Sequence, residues 1–321
     1  MSAARAPTLS RGIAWVPMLA FGVLSTGLAA GVWKHAGIDV GMFCVLFVIG
    51  KTVVSAGFWP SRGRGHEAGA SGPFFAYAAL AAVLNGLAWV AYLIAFERGP
   101  LAIVQTISAG YSAVAAVLAM LFLRERLASA QAAGVALVVV ASMLLGYAGE
   151  APSAGSRGGW LPACLGSAVL WGANAVVAKH AYSLPGADQA RFLLVHGLGL
   201  AATILPYGLW LASTAARPAG VVLPTILVVL LYLAGDLGIY GAMARGPASI
   251  VHPIFGLYAI PSIAYAALVI GDRPGKLEWS AIAMASAGVI LVLPAADNPL
   301  IRLLARRRPR PERPTRTGTE P

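Results

Sequence analysis

Ten stretches in which polar residues nearly vanish divide this chain, at roughly 12–32, 39–59, 74–96, 100–123, 128–147, 159–180, 190–212, 220–243, 247–270 and 278–294. At a rise of about 1.5 Å per residue each is sized to cross a hydrocarbon core. The breaks between them carry turn chemistry, as in Arg98-Gly99-Pro100, Glu150-Ala151-Pro152, Pro185-Gly186, Pro218, Gly246-Pro247 and Pro274-Gly275. The pattern predicts an all-α integral membrane protein of ten transmembrane helices.

The pattern also repeats. Arg98-Gly99-Pro100, Ile103-Val104, Tyr111 and Glu125-Arg126 recur as Arg245-Gly246-Pro247, Ile250-Val251, Tyr258 and Asp272-Arg273, all at a spacing of 147. Trp15, Pro17, Gly27, Ala30 and Lys34-His35-Ala36 recur as Trp160, Pro162, Gly172, Ala175 and Lys179-His180-Ala181 at a spacing of 145. One unit has been duplicated, giving a first repeat over 1–150, a second over 151–296 and a tail over 297–321. Five helices is an odd number, so the second repeat is expected to enter the membrane from the opposite side. The prediction is two inverted five-helix repeats.

Composition agrees: only 11% of residues are charged, 59% are hydrophobic and the mean hydropathy is +0.77, whereas a soluble domain carries roughly 25% charged residues. Arg5 and Arg11 precede the first apolar run as in a secretory signal, yet the run from Gly12 to Val32 is membrane-length and no polar cleavage region follows. It is predicted to be the first membrane helix. With both termini cytoplasmic, Arg5, Arg11, Arg62, Arg64, Arg124, Arg126, Lys179, Arg191 and Arg245 fall inside, against Lys34, Arg98, Arg157, Arg217, Arg273 and Lys276 outside. Seven tail arginines from Arg302 onward strengthen that bias. An inner (plasma) membrane location follows, and the net charge of +11 is assigned to topology and anionic headgroups rather than to nucleic acid. The Pro- and Arg-rich tail lacks the apolar residues needed to fold and is expected to be disordered. Cys44 and Cys164 lie in apolar segments without metal or disulfide spacing and are expected to be buried thiols.

The Gly-Pro openings of the fourth and ninth helices, the Leu123-Arg124-Glu125-Arg126-Leu127 close of the fourth and Leu170-Trp171-Gly172-Ala173-Asn174 in the sixth resemble the drug/metabolite transporter superfamily. Within it, the chain is similar to the ten-helix branch of two EamA-type repeats. The resemblance covers nearly everything up to Pro294. It implies a transporter of the kind that exports amino acids, drugs, nucleotide sugars or other metabolites, with a cavity lined by the fourth and ninth helices. Two departures stand out: Ser25-Thr26-Gly27 replaces the family's frequent Trp-Gly pair, and Asp272-Arg273-Pro274 replaces a Glu-Arg-Leu close.

Ionisable groups at membrane depth are costly unless paired or wet, so each is a functional candidate. Asp236 is the one carboxylate well inside a predicted helix, with Tyr232 and Tyr240 four residues away on either side, hence on one face. Burial favours its neutral form and a nearby cation its charged form. It could therefore take a coupling proton, pair with a cationic solute, or be a structural residue. Lys51 is the natural partner, although it lies about two turns from a helix end and its stem is expected to snorkel to the headgroups. Asn85, Trp89 and Tyr92 form an aromatic stripe in the third helix, suited either to packing or to a cavity wall for a planar or apolar solute, with Trp89 able to capture a cation. On the duplicated helices Gln105 stands opposite His252, and Tyr111 opposite Tyr258. Pro253 and Pro261 should interrupt the ninth helix. Trp171 and Asn174 in the sixth complete the candidate substrate-binding set, while His196 is expected to be packed and hydrogen-bonded.

The sequence holds no nucleophile grouping, phosphate-binding loop or metal-ligand cluster. The expectation is a non-enzymatic secondary carrier, monomeric or homodimeric, that needs no cofactor and moves a small-molecule solute, outward if it follows the family. The alternative is a non-transporting membrane subunit whose basic tail docks a cytoplasmic partner.

Overall fold

The structure is a computed structural model that describes residues 15–58, 71–99, 104, 107–108, 110–147, 159–214, 220–271 and 273–292. The tail, Gln105, Thr106 and Asp272 lie outside the described residues. Helices follow one another as α1 (Trp15–Ala36), α2 (Val40–Phe58), α3 (Gly72–Arg98), α4 (Tyr111–Phe122), α5 (Ser129–Tyr147), α6 (Trp160–Tyr182), α7 (Gln189–Thr214) and α8 (Val222–Met243). A composite helix, α9 (Ala248–Ile270), and α10 (Lys276–Val292) complete the series. Among the described residues no strand occurs. By length and apolar content seven of these helices, α1, α2, α3, α6, α7, α8 and α9, can each cross a membrane. Shorter apolar segments run over Tyr111–Phe122 in α4 and Ser129–Leu144 in α5.

Local chemistry explains the ends. Ser71 precedes α3 in extended conformation and its hydroxyl accepts the Phe74 N–H, with Pro73 in the first turn, where a missing N–H costs nothing. Asp39 caps α2 by accepting the Met42 N–H at 2.7 Å. The expected interruption of α9 is present as a change of helix type. Pro253 has no N–H to give the preceding turn, the α-helix gives way at Phe255 to a 3-10 turn over Gly256–Tyr258, and an α segment and a π segment lead to Gly271.

Helices of the two halves interleave. α1 packs on α8 and α6 on α3; α9 crosses α1 and α4 crosses α6; α2 pairs with α7 and α5 with α10. Small side chains let the backbones close up, with Ala78, Ala81, Ala82 and Ala88 of α3 fully buried. Such contact surfaces hold membrane helices together by van der Waals fit, since lipid tails are as apolar as the core. The correspondence reaches single atoms: a methyl group added to Gly99 would lie 2.8 Å from the Trp160 ring and 2.9 Å from Val104, and one added to Gly246 would lie 2.9 Å from the Trp15 ring and 3.0 Å from Val251. Each tryptophan at the start of one half therefore seals a glycine of the other, at positions the sequence repeat equates.

Candidate functional site

Between the halves lies a cavity of about 110 Å³, several times what a single water needs. α3 presents Asn85, Trp89 and Tyr92 to it, the α4 segment Tyr111, α6 Trp171 and Asn174, α8 Tyr232, Asp236 and Tyr240, and α9 His252 and Tyr258. Eleven of the twelve candidate residues thus share one cavity; Gln105 is outside the described residues. Thr26, Ser108, Ile239 and Phe255 also line it, and sequence reasoning passed over all four. Helical spacing offered a signal for two of them: Ser108 stands one turn before Tyr111, and Phe255 lies midway between His252 and Tyr258.

One wall is aromatic. Trp89 meets Trp171 edge-on at 5.5 Å between centroids and Tyr232 at 5.4 Å, both at 90°. Tyr92 lies 5.3 Å from Trp171. Edge-to-face pairs of this kind contribute roughly 0.5–1.5 kcal/mol beyond area burial. The Trp171 indole N–H donates to Asn85 Oδ1 at 3.1 Å, joining α6 to α3. The α3 stripe is therefore interhelical glue and cavity wall at once.

The other wall is polar. Lys51 Nζ donates to Asp236 Oδ2 at 2.5 Å, with side-chain exposures of 3% and 23%. This corrects the snorkelling expectation: the ammonium turns inward from α2 to α8, because a carboxylate within reach stabilises a buried cation better than bending a fully enclosed stem toward the surface. Lys51 also lies 5.2 Å from the centroid of the Tyr240 ring. The Tyr240 hydroxyl hydrogen-bonds His196 Nε2 at 2.9 Å and accepts from Asn174 Nδ2 at 3.4 Å, which gives His196 the packed, bonded role expected of it. His252 Nε2 sits 3.1 Å from Met243 Sδ. Three buried polar atoms of cavity residues find no hydrogen-bond partner among the described residues: Tyr111 Oη, Asn174 Oδ1 and His252 Nδ1. Buried polar atoms are nearly always satisfied, so this set is equipped to receive a ligand's donors and acceptors.

At one end of the bundle Glu125 accepts the Ala248 and Ser249 N–H groups at 3.0 and 2.9 Å and the Ser249 hydroxyl at 2.5 Å. Lys179 Nζ donates to the Met243 and Gly246 carbonyls at 2.8 and 2.7 Å. These bonds fasten α4 and α6 to the junction of α8 and α9. Cys44 and Cys164 are buried free thiols, and no cluster of metal-ligating side chains occurs among the described residues.

The model of the EamA-like transporter family matches residues 159–293. The matched segment supplies Trp171, Asn174, Tyr232, Asp236, Tyr240, His252 and Tyr258 to the cavity, and the residues before it supply the other four candidates. With its apolar helices, the chain is a multi-pass membrane protein whose residues 159–293 are similar to EamA-like transporters. A protein of known crystal structure superposes on 91% of this chain and 98% of its own with a TM-score of 0.66 at 17% identity, a likeness of fold alone. No curated protein matches the chain by sequence.

Proposed function

We propose that the chain is a secondary carrier of the inner membrane that exports a small metabolite or drug-like solute by alternating access. Its ten helices form two inverted repeats, 1–150 and 151–296, with both termini cytoplasmic and the basic tail at the anionic headgroups. The observation that carries this reading is that corresponding helices of both halves, α3 with α8 and α4 with α9, wall one cavity. A site on the seam between repeats opens to one side or the other as the halves rock.

The solute has a planar or cationic group that fits the aromatic wall, with Trp89 and Trp171 as the faces and Asp236 as the charge partner. Tyr111, Asn174 and His252 supply hydrogen bonds to its polar end. Asp236 is also the residue through which a proton or an exchanged cation would couple. The reciprocal seals of Trp15 on Gly246 and Trp160 on Gly99 support the repeats moving as matched bodies. The test is a thermal-shift screen of metabolites on the purified full chain, followed by counterflow of each stabilising solute in proteoliposomes. Stabilising solutes are expected to exchange across the bilayer; a solute that binds at the cavity and never crosses would sink the transport reading.

A further inference from the structure

A second and larger hollow, about 370 Å³, opens between α1, α7 and α8, away from the central cavity. Its walls are apolar: Met18 and Phe21 from α1, Leu193 from α7 and Leu237 from α8, with Gly238 at the seam. The face of α8 that carries Asp236 and Tyr240 points to the central cavity, so α8 itself separates the two spaces. Phe21 is 51% exposed, which marks a sideways opening of the bundle. Met18 and Phe21 lie three and six residues into α1, Leu193 four residues into α7 and Leu237 six residues before the end of α8. At a rise of about 1.5 Å per residue, the hollow begins within two turns of the start of α1, the start of α7 and the end of α8.

A cation stands on its rim. Arg245, two residues past α8, is exposed, and its Nη1 donates to the Gly241 carbonyl at 2.8 Å and lies 3.4 Å from Met18 Sδ, a wall atom of the hollow. Among the described residues no carboxylate pairs with it. One guanidinium nitrogen is thus tied to the backbone while the rest of its donor fork stays open, a geometry suited to phosphate oxygens. Gln189 Nε2 donates to the Leu237 carbonyl at 3.1 Å, which ties the start of α7 to α8 at the edge of the hollow.

We propose that this hollow binds an anionic phospholipid, one acyl chain lying on Met18, Phe21, Leu193 and Leu237 and the phosphate on Arg245. An apolar slot alone would accept any lipid. The unpaired arginine at headgroup depth gives the selectivity, because an anionic lipid carries no cationic head to offset its phosphate.

The test reconstitutes the full chain in phosphatidylcholine vesicles with and without phosphatidylglycerol, each doped with the matching lipid bearing a photoactivatable acyl chain, and maps labelled peptides by mass spectrometry. Phosphatidylglycerol is expected to label the segments around Met18 and Leu193 in preference to phosphatidylcholine, and Arg245→Gln to cut that preference about fivefold. Leu237→Trp, which fills the slot, should remove the labelling by both lipids while solute binding at the central cavity persists. Equal labelling by the two lipids overturns the proposal, as does a preference untouched by Arg245→Gln. Protection of the slot by a transported solute, rather than by unlabelled phosphatidylglycerol, overturns it as well.

Discussion

Lys51 and Asp236 form an ion pair at 2.5 Å across the contact of α2 with α8, the lysine enclosed and the carboxylate partly open to the central cavity. The ammonium stands behind the carboxylate, leaving Asp236 to face whatever occupies the cavity. Removing either partner strands a charge in the membrane, at a cost of about 3–5 kcal/mol for a buried pair. We expect Asp236→Asn and Lys51→Met each to lower the unfolding temperature in detergent, and the combination Lys51→Met with Asp236→Leu to recover most of the loss. All three should abolish pH-dependent transport in proteoliposomes. Transport of unchanged pH dependence in the double variant would remove Asp236 from the coupling role.

Tyr111 offers a cleaner measure of ligand contact. Its hydroxyl has no partner among the described residues, so Tyr111→Phe takes nothing from the fold and is expected to leave thermal stability unchanged. A hydrogen bond to a bound solute is worth about 1 kcal/mol, so affinity by tryptophan quenching should fall about fivefold. Unchanged affinity for every stabilising solute would place the hydroxyl off the binding surface.

Gly238 tests the close crossing of α1 and α8. A methyl group there would lie 2.5 Å from Gly22 Cα and 2.6 Å from the Met18 carbonyl, both backbone atoms that cannot turn aside. Gly238→Ala is expected to destabilise by about 1–3 kcal/mol, as overpacking does. Gly166 of α6 has open space around it, and Gly166→Ala should stabilise by up to about 1 kcal/mol through helix propensity. Thermal unfolding of the two variants side by side checks the contrast.

Glu125 ties the end of α4 to the start of α9. Losing its charge weakens a cap worth about 0.5–2 kcal/mol. Glu125→Gln should raise the modification rate of a cysteine placed at Ser249, read with a membrane-impermeant maleimide in oriented vesicles. An unchanged rate would mean that the Glu125 charge does not hold this junction together.

Truncation at Leu300 separates a carrier from a docking subunit. Solute counterflow is expected to survive it, whereas a scaffold acting through its basic tail would lose its complex in co-purification.

How far the sequence carries is clearest in α8. The i, i+4 spacing puts Tyr232, Asp236 and Tyr240 on one face, and that face does line the cavity. Periodicity identifies which residues of a helix travel together, and the Tyr111 and Tyr258 match identifies which helices correspond. Neither says what stands opposite. Its place near a helix end pointed Lys51 to the surface, and only the position of α8 beside α2 turned it inward.

Taken alone, the sequence determined an all-helical membrane protein and the residues able to do polar chemistry at depth, because each of these follows from local composition, spacing and the cost of charge in hydrocarbon. Tertiary structure decided the Lys51–Asp236 pair, the T-shaped wall around Trp89, the Trp15 and Trp160 seals and the slot beneath Arg245. In a membrane, lipid-facing and core-facing residues are equally apolar, so hydropathy cannot distinguish them. Shape complementarity between distant helices does.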